Sequence, residues 1–184
     1  NIGGVERGTK DFSKALIDKG HKSIVISNGG IFEKDIVNDG GEHIKLPIHK
    51  KNPYSLFLSK QLKLIYEREK PDIVHVRSRM PAWINFLAFK KMSSKPLLVS
   101  TFHGLYSTPF YSQVMAQVDH TIAISNTVKN YIIDTYNVAE SKITTIPRGC
   151  DANTFNRESA PDDWIDKWSK DCLLYTSDAA DEAS

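Results

Sequence analysis

The chain has 184 residues, 40% of them hydrophobic and 25% charged, with a formal net charge of +2. That is the make-up of a globular domain able to bury a core without disulfide or metal staples. The two cysteines, Cys150 and Cys172, show no metal-ligand spacing and suit a reducing, cytoplasmic setting. No apolar run approaches the roughly 18 residues of a spanning helix, and the modest, dispersed positive charge without a recognised motif argues against a nucleic-acid partner.

The chain opens NIGGVERGT, a glycine-rich turn leading into a helix. A turn of this kind ordinarily follows a buried strand, so a leading strand is expected ahead of Asn1. Residues 9–19 place Phe12, Ala15 and Leu16 at helical spacing, and Gly20 closes the helix. Residues 22–27 form a β-branched run ended by Asn28-Gly29-Gly30, a buried strand. Residues 31–38 read as a short helix and 43–46 as a short strand stopped by Pro47. The longest helix is expected over 53–70, where Leu58, Leu62 and Ile65 form the apolar stripe and Pro71 marks the end. A strand at 72–76, a helix at 81–92, a strand at 96–101 and a helical stretch at 109–118 follow. The last elements are a strand at 120–125, a helix at 126–136 capped by Ser125 or Asn126, a strand at 142–146 and a helix at 161–170. Strands alternating with helices predict an α/β fold with a doubly wound parallel sheet, its first strand missing.

Ligands of open parallel sheets bind beyond the carboxyl ends of the strands, so the loops there carry the candidate chemistry. Gly3, Gly4 and Val5 precede a helix, where bare backbone and free N–H groups can approach a phosphate. The spacing is neither that of a dinucleotide fingerprint nor that of a P-loop, and a turn without a ligand is an equal reading. His103 follows a strand within Thr101-Phe102-His103-Gly104, where an imidazole can reach a hydroxyl or oxyanion. Arg77 and Arg79 stand at another strand end and suit bidentate anion contacts, though for either alone a surface charge at a helix start is the slightly stronger reading. Arg148 lies in the Pro-Arg-Gly-Cys-Asp turn after the last strand. The other histidines, His21, His43, His49, His75 and His120, read as structural or solvated.

Taken in order, GGVERGT, ALIDKGHKSIVISNGG, PDIVHVRSR, STFHG, DHTIAIS and KITTIPRGCD resemble glycosyltransferase family 4, the group 1 glycosyltransferases of GT-B fold, over residues 1–157. The resemblance implies a Rossmann-like N-terminal, acceptor-side half whose nucleotide-gripping second domain is absent. It implies sugar transfer from a nucleotide-diphosphate donor to a saccharide or lipid-linked acceptor hydroxyl, with retention, in cell-surface polysaccharide or lipopolysaccharide synthesis. Gly3, Gly4 and Val5 would then hold the donor diphosphate and His103 would contact the donor sugar. Arg77 and Arg79 would face the acceptor side, and Arg148 would lie in the cleft. Arg148 and Cys150 depart from the family's usual Pro-Asn-Gly-Val-Asp form. No cofactor or metal is implied, and the chain contains no Asp-x-Asp.

The alternatives are a GT-B-fold nucleotide-sugar epimerase, for which Glu6 is the nearby carboxylate, and a non-catalytic domain that binds a phosphorylated ligand. The basic helix at 53–70, with Lys50, Lys51, Lys60, Lys63, Arg68 and Lys70, could rest on the inner face of a membrane. An ordinary helix with a solvated basic face is the stronger reading of those lysines. Residues 1–157 are expected to be the domain and 158–171 the start of a linker or second domain. The string CLLYTSDAADE matches one frame of a transposase-type sequencing adapter, so 172–184 are expected to be translated adapter rather than folded protein.

Overall fold

The computed structural model describes residues 4–49 and 57–149. Asn1–Pro147 form one compact unit and Arg148–Ser184 a second, of which Arg148 and Gly149 fall among the described residues. The helix expected at 161–170 and the divisions expected at 158–171 and 172–184 lie outside them.

In chain order the first unit contains α1 (Gly4–Asp18), β1 (Ile24–Ser27), α2 (Glu33–Asn38), β2 (Glu42–Lys45) and α3 (Leu58–Glu69). β3 (Ile73–Val76), α4 (Arg79–Phe89), β4 (Leu97–Phe102) and the single turn α5 (Pro109–Ser112) follow, with a 3-10 turn at Gln113–Met115. β5 (His120–Ala123), α6 (Asn126–Tyr136), a 3-10 turn at Glu140–Lys142 and β6 (Ile143–Thr145) complete it. All pairings are parallel, and the strands alternate with helices as the sequence predicts for a Rossmann-like α/β unit.

The strands divide into a two-stranded sheet, β1-β2, and a four-stranded sheet, β3-β4-β5-β6. β1 and β3 therefore each keep one edge without a ladder partner among the described residues. The two sheets share one core all the same. Leu46 and Ile48, just past β2, are buried in the same cluster as Leu62 of α3, Val74 and Val76 of β3, Ile84 and Ala88 of α4, Phe102 of β4 and Ile132 of α6.

Local chemistry sets the element ends. α1 stops at Gly20, whose φ of +82° a side chain would resist. α3 ends on Lys70 at φ +46°, because Pro71 excludes the right-handed helical region for its predecessor. Ser125 Oγ accepts from the Val128 N–H at 3.2 Å and caps α6, one of the two caps expected. The main departure is at the start: α1 begins at Gly4, so Val5, Glu6, Arg7 and Gly8 form its first turns rather than a loop before it.

A histidine links to a hydroxyl across each of three strand pairs. The Nε2 atoms of His43, His75 and His120 lie 2.8, 2.7 and 2.8 Å from Ser27, Thr101 and Thr144 Oγ atoms. In each case the hydroxyl lies two residues along from the position directly opposite the histidine, the diagonal neighbour on one sheet face. These histidines are structural cross-ties, as read from the sequence, while His21 and His49 are exposed.

Candidate functional site

Arg77 is the first residue past β3. Its Nη1 donates to the carbonyl oxygen of Gly8 at 2.9 Å, so the start of α1 sits at the carboxyl end of β3. A Cβ on Gly8 would stand 3.2 Å from Arg77 Nη2, tight enough to displace the guanidinium. Four residues on, the Phe12 ring meets His75 edge-on at 5.6 Å between centroids. Burial, followed by repulsion from Arg77, lowers the His75 pKa from 6.5 to about 4, so its ring is neutral at physiological pH.

His103 is the first residue past β4, the parallel neighbour of β3, and is half-buried. The opening turns of α1 and His103 therefore occupy the same end of the sheet. Of the residues singled out from sequence, Gly4 and Val5 lie in α1's first turn, Gly4 exposed and Val5 half-buried, and Gly3 falls outside the described residues. Glu6 is exposed beside them. Arg148 is exposed and belongs to the second unit.

Arg79, the first residue of α4, is engaged in a different way. Its guanidinium carbon lies 5.0 Å from the Tyr106 ring centroid and 5.3 Å from that of Tyr111, within cation–π range of both. Its Nη1 also donates to Thr108 Oγ1 and Ser112 Oγ, each at 3.4 Å. Tyr106 stacks obliquely on the buried Phe102 at 5.1 Å, and its backbone carbonyl accepts from Tyr131 Oη at 2.7 Å. Burial raises the Tyr106 pKa, while a hydrogen bond from the His103 backbone and the charge of Arg79 act against that rise. Tyr111 lies against Trp83, whose Nε1 donates to the Tyr111 carbonyl at 2.9 Å. The segment after His103 is thus folded inward on its tyrosines, leaving Leu105 and Phe110 exposed at 60% and 81%.

Sequence reasoning missed this tyrosine group. The recurrence of Tyr106, Tyr111, Tyr131 and Tyr136 was visible, but no local spacing pairs residues from a loop, a short turn and α6. A second loop it passed over follows β1. Gly29 donates to Ser27 Oγ at 3.1 Å, and a Cβ there would lie 2.6 Å from Glu33 Oε2. Glu33 Oε1 in turn lies 3.5 Å from His43 Nδ1. Among the described residues no three His, Cys, Asp or Glu side chains gather as a metal site.

A parallel α/β unit with its candidate groups at the carboxyl ends of β3 and β4 defines one Rossmann-like half of a GT-B protein. The model of Glycosyltransferase Family 4 matches residues 2–154, and the chain belongs to that family. A solved glycosyltransferase from Rickettsia africae is similar at 34% identity and TM-score 0.73, over 92% of this chain and 46% of that one. Anabaena HepE, solved with UDP and glucose, shares the fold at TM-score 0.62 and 16% identity, over 92% of this chain and 47% of its own. A human phosphatidylinositol N-acetylglucosaminyltransferase subunit is 26% identical over 171 residues, 84% of this chain and 35% of that protein. The chain thus spans less than half the length of each of these relatives.

Proposed function

We propose that the chain is the acceptor-side half of an enzyme that moves a sugar from a nucleotide-diphosphate donor to an acceptor hydroxyl. The observation that carries this reading is that α1's first turns and His103 lie at the same end of the sheet, in a chain of this family. In the reaction the bond between the anomeric carbon and the diphosphate oxygen breaks. A bond to the acceptor oxygen forms on the same face of the sugar, and the acceptor proton is released. The leaving diphosphate gathers negative charge, which the amides of Gly4 and Val5 at the start of α1, together with that of Gly3 before them in sequence, are suited to stabilise. His103 contacts the donor sugar. Arg148 contributes to the cleft from the connection into the second domain. No metal or cofactor takes part. The Anabaena relative's UDP and glucose support a nucleotide-sugar donor.

The acceptor is a saccharide or a lipid-linked saccharide of cell-surface polysaccharide or lipopolysaccharide synthesis. Leu105 and Phe110, exposed just after His103, offer apolar surface to the lipid part of such an acceptor. The enzyme works in the cytoplasm, at the inner face of the membrane. Among the described residues no helix is long and apolar enough to cross one. The test is His103→Ala in the enzyme with its second domain present. Turnover should fall about 10²-fold, the usual loss for one polar transition-state contact. Turnover held within about twofold of the parent would remove His103 from the chemistry. Unchanged activity in excess chelator is expected; its loss would overturn the metal-free reading.

A further inference from the structure

Arg79 stands where the sequence suggests an acceptor contact, and its half-buried guanidinium is engaged by the protein's own side chains. It touches several points of the loop that begins with His103: the rings of Tyr106 and Tyr111 and the hydroxyls of Thr108 and Ser112. Each tyrosine has further partners, Tyr106 in Phe102 and in Tyr131 of α6, Tyr111 in Trp83 of α4, the helix that Arg79 begins. A planar cation can meet two aromatic rings and still keep N–H groups for two hydroxyls. Tyr106 in turn packs at 5.1 Å on Phe102, the residue directly before His103. A continuous chain of contacts therefore runs from the first turn of α4, through Tyr106, to the backbone that aims the imidazole.

We propose that Arg79 is a positioning residue, which fixes the pose of His103 by clamping the 103–112 loop closed between Tyr106 and Tyr111. This rests on the reading of His103 as a donor contact, and gives Arg79 a part in the reaction without touching either substrate.

The test uses the 184-residue chain labelled with ¹³C at its histidine rings, and follows the His103 resonance and the exchange of its amide proton. Arg79→Met keeps the stem and removes the plane and charge. The His103 signal should move and its amide should exchange faster, while the His120 signal, from the amino-terminal end of β5, stays in place. Arg79→Lys should not rescue, because an ammonium is a point charge and lacks the plane that meets the two rings. A His103 signal unmoved in Arg79→Met overturns the proposal, as does full rescue by lysine. If Arg79→Met fails to fold, Tyr106→Leu decides: it removes the ring that both Arg79 and Phe102 meet, and an unmoved His103 amide there is equally fatal.

In the two-domain enzyme, with UDP-glucose as probe donor, misplacement of His103 should lower kcat about tenfold and leave KM within about twofold. The two readings fail separately. If Arg79→Met shifts the His103 signal but His103→Ala leaves turnover intact, the clamp stands and the role of His103 falls. If His103→Ala cuts turnover while Arg79→Met leaves the signal in place, the clamp falls and the role of His103 stands.

Discussion

Arg77 and Gly8, far apart in sequence, are joined by a 2.9 Å hydrogen bond from the guanidinium to the glycine carbonyl. The bond ties the first turns of α1 to the end of β3. A carbonyl inside a helix already accepts one N–H, so Arg77 uses its second lone pair and costs the helix nothing. The glycine is what allows the approach.

Arg77→Ala removes a charged donor from a part-buried acceptor. We expect a loss of about 1.5–3 kcal/mol, read as a lower urea midpoint with unchanged slope. Gly8→Ala gains up to about 1 kcal/mol of helix propensity but displaces the guanidinium by a few tenths of an ångström. The two effects oppose, and stability should stay within about 0.5 kcal/mol of the parent. A larger loss would mean that the latch cannot shift.

The pH response should carry the signature of His75. Its folded pKa of about 4 lies below the unfolded value of 6.5, so the unfolded chain binds the extra proton first. The stability due to this group is complete above pH 6.5 and is lost as pH falls toward 4. The shift is worth roughly 3 kcal/mol at full effect. Carboxylates titrate over part of the same range, so the measurement is a difference: the stability of the parent minus that of His75→Gln, taken from pH 7 to 4. A difference that does not change with pH would show that His75 is not held neutral.

Tyr66 and Asn85 form the buried polar contact between α3 and α4. The Tyr66 hydroxyl donates to Asn85 Oδ1, and Asn85 Nδ2 donates to the Pro81 carbonyl at 2.8 Å. Burial raises the Tyr66 pKa well above its ordinary value, so the phenol stays a donor throughout the working pH range. Tyr66→Phe leaves the amide oxygen without its donor and should cost about 1–3 kcal/mol in thermal or urea unfolding. The paired change Tyr66→Phe with Asn85→Leu should recover part of that loss; no recovery would mean the cost came from packing.

The exposed lysines of α3 test the membrane reading. Lys60 is exposed, and Lys63 is partly covered and ion-paired with Glu67 at 3.3 Å. Near an anionic surface each lysine contributes about 1 kcal/mol, so Lys60→Glu with Lys63→Glu should weaken sedimentation with phosphatidylserine vesicles by more than about tenfold. Unchanged binding would leave α3 as an ordinary helix with a solvated basic face.

Much of the fold could be read from the residues because it is written in short-range signals. β-branched runs between glycines and prolines gave the six strands of the described unit to within about two residues. Gly20, Pro71 and Ser125 marked ends that the coordinates keep. The start of α1 was misread because three glycines within eight residues signal a turn, whereas here Gly8 is tolerated inside a helix to seat Arg77. The site divided in the same way. His103 and the α1 start, each fixed by a strand end, came out at one edge of the sheet. Arg79 lay at the right edge, but its partners Tyr106 and Tyr111 belong to a loop some thirty residues later. No periodicity reports a contact made through tertiary packing.

The strand pairing has one mechanical consequence. No backbone ladder joins β1 to β3, so the smaller sheet is moored to the rest of the unit by side chains in and beside it: Ile26 packed against the common core, Leu46 and Ile48 within it, and Lys22 reaching Glu69 of α3 at 3.0 Å. Side-chain moorings yield separately, whereas a ladder yields as a row. Warmed or pulled, the chain should therefore shed this smaller sheet first, leaving β3 to β6, with His103 at their edge, as the last part to melt.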